Sequence, residues 1–297
     1  MGKKALVLSG GSIKGAFEAG AVKALFEQGF QPDMVTGISI GALNSAFIVN
    51  RIGQLDNQFQ WTQIGEDLIN FWLNHASSPQ AVMRKNSFIK IAYQLLTKRF
   101  VSLLDMSPFH NLMKRTLSTE ALRKAKVDLV VGAVNLYTGQ IEYFSQKDDF
   151  IVDAVIASSS IPILMPYINI KGVPYVDGGV RDVLPVQPLF SGDDIEEIIM
   201  VVCHPERLSE ENFDPGNLIK YVNRTKNITV NELVKSDIDY IIEYNKKQTK
   251  AKRPNVKYKV IRPEKEIMLT LDKFTRQDIQ RLIDWGYQRA MASDWLA

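Results

Sequence analysis

The chain has 297 residues, 45% of them hydrophobic and 23% charged, with a net charge of +3. That is material for one large α/β core or two modest ones, and so mild a charge requires no polyanionic partner. The single cysteine excludes an internal disulfide, and no run approaches the roughly 20 apolar residues of a membrane-spanning helix. Lys3 and Lys4 are followed by only five residues before Gly10, too short a stretch for the apolar region of a secretory leader. Leu6 stands where an N-myristoylation signal needs Ser or Thr. The expected location is therefore cytoplasmic, with any membrane contact peripheral.

The first element reads as a strand, Lys4 to Leu8, and leads into the turn Ser9-Gly10-Gly11-Ser12-Ile13-Lys14-Gly15. A helix follows, with Ile13, Ala16, Phe17, Gly20, Ala21, Ala24 and Leu25 at i, i+3, i+4 spacing and Gly29 as its C-terminal cap. A glycine turn at a helix N-terminus offers free backbone N–H groups and the positive end of the helix dipole. It can hold a phosphate or the oxyanion of an acyl-transfer intermediate. The dinucleotide frame G-x-G-x-x-G fails because position 12 is Ser, and the P-loop frame fails because Gly15 is followed by Ala16 and Phe17. Two readings stay open: an oxyanion hole on the N–H groups of Gly11 and Ser12, or a tight turn that binds nothing.

Next comes a short apolar run, Met34-Val35-Thr36, then Gly37-Ile38-Ser39-Ile40-Gly41, then a helix-like run from Ala42 to Val49. Strand, G-x-S-x-G and helix in that order are the setting of a nucleophile elbow, whose glycines permit a tight turn and leave the serine exposed at its tip. Ser39 is the candidate nucleophile; the plain alternative is an ordinary strand-to-helix turn.

Residues 51–126 read as mostly helical, with Trp61, Ile64, Leu68 and Trp72 on one face and a helix opening at Ser107-Pro108. Within this stretch Arg84, Lys85, Lys90, Lys98 and Arg99 alternate with Phe88, Ile89, Tyr93, Leu95, Leu96 and Phe100. Such a segment is either a surface helix with a solvated basic face or one that lies on an anionic bilayer. Strands are predicted over Val127–Val134 and Gln140–Phe144, joined by a turn at Thr138-Gly139, and a helix over Ile151–Ser158.

Tyr175-Val176-Asp177-Gly178-Gly179 ends a short strand on an acidic residue. A serine is a weak nucleophile without a base, and with only three histidines in the chain Asp177 is a serious candidate for that base. Read alone, Asp-Gly-Gly is a turn. A buried strand over Ile198–Cys203 gives Cys203 the role of a core residue. A long helix near 216–245, a strand over Val256–Ile261 and a helix from about Thr275 to Ser293 complete the chain. Lys246, Lys247, Lys250, Lys252 and Arg253 read as a solvated loop first and a headgroup or nucleic-acid patch second; no aromatic interleaving supports nucleic acid, and none is expected as a partner.

Together the glycine-rich turn, the G-x-S-x-G frame and the later Asp-Gly-Gly resemble the patatin-like phospholipases. Ala157-Ser158-Ser159-Ser160-Ile161-Pro162-Ile163-Leu164-Met165-Pro166 looks like that family's Ala-Ser-x-x-x-Pro stretch. The resemblance covers about residues 5–190. It implies an oxyanion loop at Gly10, Gly11 and Ser12, a basic residue at Lys14 that assists the anion or the substrate, Ser39 as nucleophile and Asp177 as general base. It implies an α/β fold: a mainly parallel central sheet flanked by helices, the patatin/lysophospholipase-like three-layer sandwich. One domain is expected over 1–297, with a helical insertion at about 51–126 and a C-terminal completion at about 195–297. The substrate would be a phospholipid or another acyl lipid, with no metal or cofactor. Ser12 departs from the family, which often has glycine there; its N–H still donates, but its backbone freedom is smaller.

Two other classes stay open. One is a hydrolase with the triad Ser39, Asp177 and His204, although only two strands precede Ser39, fewer than that fold places before its elbow. The other is a lipid-binding protein that keeps the fold without turnover.

Overall fold

In the computed structural model, which describes residues 2–98, 100–192, 194–209, 216 and 218–292, β1 (Lys3–Leu8) passes through a 3-10 turn (Ser12–Lys14) into α1 (Gly15–Glu27). β2 (Met34–Ile38) and α2 (Ile40–Gln54) repeat that unit. The insertion holds α3 (Trp61–His75), α4 (Pro79–Val82), a small hairpin of β3 (Arg84–Lys85) and β4 (Leu104–Asp105) around α5 (Phe88–Leu96), then α6 (Ser107–Thr116) and α7 (Thr119–Lys124). Next come β5 (Asp128–Asn135), β6 (Ile141–Ser145), α8 (Ile151–Ser158), β7 (Ile168–Ile170) and β8 (Val173–Asp177). The chain then forms β9 (Ile195–Val201), α9 (Leu218–Lys250), β10 (Lys257–Ile261) and α10 (Arg276–Met291).

The sheet order is β10-β9-β1-β2-β5-β8-β7, with β6 paired to β5. From β10 to β5 every neighbour is parallel; β6, β7 and β8 add an antiparallel end. This is the expected mainly parallel sheet between helices. Leu6 and Leu8 of β1 join a core with the helices α1, α2 and α3, while Ala5 and Val7 join a second core with Val183, Leu184 and the α9 residues Val230 and Val234. Successive side chains of a strand point to opposite faces, so a strand covered on both sides carries an unbroken apolar run.

The structure departs from the sequence pattern in a few places. β9 begins at Ile195 and ends at Val201, so Cys203 lies beyond the strand, still fully buried. α9 runs on through Lys246, Lys247 and Lys250, so these lie in its last turns and not in a loop; Lys252 and Arg253 follow it. The expected end of the last helix at Ser293 lies outside the described residues. β7 and the β3–β4 hairpin are too short to show alternation in the sequence.

The five parallel strands end on one side of the sheet, where the turns after β1 and β2 lie. In open α/β sheets that edge is where ligands bind.

Candidate active site

Ser39 occupies a backbone conformation that side chains rarely adopt, φ 54 and ψ −123. The reason is the sharpness of the turn. A Cβ on Gly37 would stand 2.3 Å from Gly41 O, and one on Gly41 would stand 2.2 Å from Leu8 O. Only glycine at both positions lets the β2–α2 turn cross the end of β1. Such strain, about 1–3 kcal/mol, persists only where the surroundings enforce it. Here two serines at the end of α8 do so: Ser39 N–H donates to Ser158 Oγ (2.9 Å), and Ser159 Oγ donates to Ser39 O (2.9 Å). These serines belong to the 157–166 stretch, whose resemblance was legible while their task was not.

Ser39 Oγ donates to Asp177 Oδ2 at 2.7 Å. Asp177 ends β8 and is fixed from two sides: its N–H donates to Ser160 O (2.9 Å), and its Oδ1 accepts from Gly179 N–H (2.7 Å). Burial pushes its carboxyl up to about 6, against the opposing pull of the Ser39 and Gly179 hydrogen bonds and the positive charge of Lys226.

The glycine turn lies against this pair, since a Cβ on Gly10 would be 3.4 Å from Ser39 Cβ. Gly10 itself is committed, donating its N–H to Val183 O at 3.0 Å. The N–H groups of Gly11 and Ser12 have no partner among the described residues. Ser12 takes φ 55, a left-handed conformation that glycine would adopt without strain. Gly11 is sterically required, because a Cβ there would meet Cys203 Cβ at 2.4 Å and Sγ at 2.6 Å.

Lys14 lies in the 3-10 turn ahead of α1, not in α1 itself. It is half-buried, and burial pulls its ammonium below the usual lysine range. His204 is buried beside the Gly10 backbone, and burial together with the charges of Lys14, Lys226 and Arg262 holds its imidazole well below the usual range. It makes no hydrogen bond to Ser39 or Asp177 among the described residues. The triad geometry is therefore absent there: Ser39 reaches Asp177 directly.

A narrow cavity of about 60 Å³ opens at Ser39 and Ser12 and is almost wholly apolar, with Leu43, Phe71, Trp72, Phe109, Met113 and Met165 in its wall. The insertion thus contributes part of the wall through α3 and α6, and Trp72 and Met113 are fully buried. Trp72 is tied to the glycine turn through polar groups that the sequence pattern did not single out. Its Nε1 donates to Asn44 Oδ1 (3.0 Å), and Asn44 Nδ2 donates to Glu18 Oε2 (2.9 Å). Glu18 Oε1 meets Ser9 Oγ at 3.2 Å, and Ser9 Oγ accepts from Cys203 N–H at 2.9 Å. Fully buried Glu18 is pushed up to about 8, chiefly by burial. The signal was a lone carboxylate inside an apolar helix. Among the described residues no cluster of His, Cys, Asp or Glu is arranged to hold a metal.

The family profile described as patatin-like phospholipase matches residues 6–190. The chain belongs to the patatin-like phospholipase family. Among relatives of this patatin-like chain, a patatin-like phospholipase domain-containing protein of Chaetomium globosum is 43% identical over 53 residues, 18% of this chain and 6% of the relative. Triacylglycerol lipase 5 of Saccharomyces cerevisiae is 24% identical over 230 residues, 67% of this chain and 29% of the relative. The chain thus spans less than a third of either. Among solved structures, VipD from Legionella pneumophila aligns with a TM-score of 0.47 at 17% identity, over 98% of this chain and 66% of that one. The type III effector ExoU aligns with a TM-score of 0.32 at 16% identity, over 98% of this chain and 52% of that one.

Proposed function

We propose that this patatin-like chain hydrolyses acyl esters of lipids with Ser39 as nucleophile and Asp177 as general base. The observation that carries the reading is the 2.7 Å bond from Ser39 Oγ to Asp177 Oδ2 at the mouth of an apolar cavity. As Ser39 Oγ attacks the ester carbonyl, Asp177 accepts its proton. The carbonyl oxygen becomes an oxyanion that the N–H groups of Gly11 and Ser12 stabilise. Collapse of the intermediate expels the alcohol, which takes the proton from Asp177, and leaves an acyl group on Ser39. Asp177 then deprotonates a water that attacks the acyl carbonyl; the fatty acid departs and the proton returns to Ser39. A carboxyl near 6 is a stronger base than an ordinary aspartate and still ionised at neutral pH. The acyl chain lies in the cavity against Trp72 and Met113.

Membrane contact belongs to the same reading. α5 has no buried residue; Phe88, Ile89 and Leu96 are 84%, 81% and 85% exposed. The α5 hairpin is fastened to the loop after α8, with Leu103 N–H donating to Ile163 O (3.0 Å) and Leu104 N–H to Leu164 O (2.9 Å). Ile161 and Met165 of that loop line the cavity. An apolar helix that carries Lys90 and is flanked by Arg84, Lys85 and Lys98 suits an anionic bilayer, which would then deliver lipid beside the cavity mouth.

The test is fatty-acid release from phospholipid and acylglycerol vesicles by the wild type, Ser39→Ala and Asp177→Asn. Wild-type turnover and a loss of several orders of magnitude in both folded variants are expected. Full activity in a folded Ser39→Ala protein would reject the reading.

A further inference from the structure

The donors of the glycine turn depend on how one peptide plane is set. The peptide between Gly10 and Gly11 is trans, so the Gly10 carbonyl and the Gly11 N–H point to opposite sides of it. Fixing the carbonyl therefore aims the N–H. A glycine on each side leaves this plane unusually free to rotate. Ser9 N–H is held by Val201 O (3.1 Å) and Gly10 N–H by Val183 O (3.0 Å), but both N–H groups lie in the peptides before it. On the Gly10 carbonyl itself Ser9 Oγ donates at 3.2 Å, and His204 lies beside the same backbone.

The side chains behind that hydroxyl set its direction. Ser9, Glu18, Asn44 and Trp72 are all buried. An indole N–H can only donate, so Trp72 Nε1 of α3 makes Asn44 of α2 present its Oδ1. Asn44 Nδ2 then spends its two hydrogens on Gly15 O (3.0 Å) and Glu18 Oε2 (2.9 Å). Ser9 Oγ accepts from Cys203 N–H (2.9 Å) and stands 3.2 Å from both Gly10 O and Glu18 Oε1. A hydroxyl has one hydrogen. Both 3.2 Å contacts are hydrogen bonds together only if Glu18 carries a proton on Oε1 and donates it to Ser9 Oγ, which leaves the serine hydrogen for Gly10 O. Burial favours the same neutral carboxyl, pushing it up to about 8. The Cys203 thiol also lies beside Glu18, as a weak donor. Every bond from Trp72 through Asn44, Glu18 and Ser9 to Gly10 O thus points the same way, and such runs polarise one another.

We propose that Glu18 is a positioning residue for the oxyanion hole: as a neutral acid it fixes the Ser9 hydroxyl on the Gly10 carbonyl and so aims the Gly11 N–H at the developing oxyanion. Glu18 touches no substrate and acts through Ser9. The inference rests on the proposed Ser39 chemistry and adds to it how one donor of the hole is oriented. The run of bonds ends at two surfaces that the substrate meets, Trp72 in the wall of the apolar cavity and the glycine turn.

The test compares Ser9→Ala, Glu18→Leu and Glu18→Gln by kinetics on a soluble ester and by the amide NMR signal of Gly11 in protein labelled on glycine nitrogen. The signal reads the setting of the peptide without turnover. Glu18→Gln still donates to Ser9 Oγ and accepts from Asn44, so it should leave the signal near its wild-type position and keep most of kcat. Ser9→Ala and Glu18→Leu should both shift the signal and lower kcat about tenfold or more at unchanged KM, because the oxyanion exists only beyond the ground state. Their losses should not add, so the double variant should be no slower than Ser9→Ala, as one residue acts through the other. Should Glu18→Leu not fold, Ser9→Ala against Glu18→Gln carries the comparison. A Gly11 signal or a kcat unmoved by Ser9→Ala, a Glu18→Gln protein as slow as Ser9→Ala, or additive losses would overturn the proposal. A wild type that turns over no ester, with the Gly11 signal shifting as expected, would reject the Ser39 reading and leave the positioning of Gly11 standing.

Discussion

Ser39 and Asp177 stand 138 residues apart in the chain and share a 2.7 Å hydrogen bond inside the protein. The bond joins the β2–α2 turn to the end of β8, two strands separated in the sheet by β5. Neighbouring groups hold that contact: the serines of α8 hold the turn, Ser160 and Gly179 hold the carboxylate, and the glycine turn lies beside the pair.

Strain at Ser39 gives a stability prediction. At an ordinary position glycine is less stable than alanine by about 0.5–1 kcal/mol. At φ 54 and ψ −123 the order should invert or vanish, because alanine keeps the strain that glycine escapes. Both variants lose the bond to Asp177, so urea unfolding of Ser39→Gly against Ser39→Ala isolates the backbone term. An alanine variant clearly more stable than the glycine one would mean that the turn is unstrained.

Catalysis should follow the ionisation of Asp177. The base works only when deprotonated, so kcat/KM on a soluble neutral ester should rise with pH through about 6 and level off above it. His204→Ala should keep this profile and most of the activity, while Asp177→Asn should lose nearly all of it. A His204→Ala protein that is folded and down about a thousandfold would restore the triad.

Much of this was legible in the sequence, and the reason is local. G-x-S-x-G and the glycine turn each stand between a strand and a helix within a few consecutive residues, so Ser39, Gly11 and Ser12 could be singled out as candidates in advance. The strand-helix alternation likewise implied the parallel sheet. What could not be read depends on contacts between distant segments. That Gly10 spends its N–H on Val183 O, and that Ser158 and Ser159 clamp the elbow, follow from how the strands and α8 are ordered around β2. No periodicity in the chain announces that order.

Glu18 gives a prediction about pH and folding. Its folded value of about 8 lies above an unfolded value near 4.5, so between these the folded protein holds a proton that the unfolded chain has lost. Its contribution is therefore intact below the unfolded value and declines as pH rises toward 8. Glu18→Gln keeps a neutral side chain that can donate to Ser9 Oγ and accept from Asn44, so its stability relative to the wild type should grow from about pH 5 to about pH 8 in urea unfolding. A constant difference across that range would show that Glu18 does not change charge there.

The exposed apolar face of α5 predicts interfacial activity. Phe88→Ser/Leu96→Ser should lower the rate on anionic vesicles several-fold relative to the rate on a dispersed short-chain ester, with little loss of stability because both side chains are exposed. Added salt should narrow the preference for anionic over neutral vesicles. Equal rates of the variant and the wild type on anionic vesicles would remove α5 from the contact.

The central claim, that Ser39 is the nucleophile and Asp177 its base, is tested most directly by a fluorophosphonate that reacts with activated serines, with the adduct mapped by mass spectrometry. Wild-type protein should carry one adduct, on Ser39, and Asp177→Asn should react at least about a hundredfold more slowly while remaining folded. An adduct on another serine, or equal labelling of Ser39 with and without the Asp177 carboxylate, would contradict it.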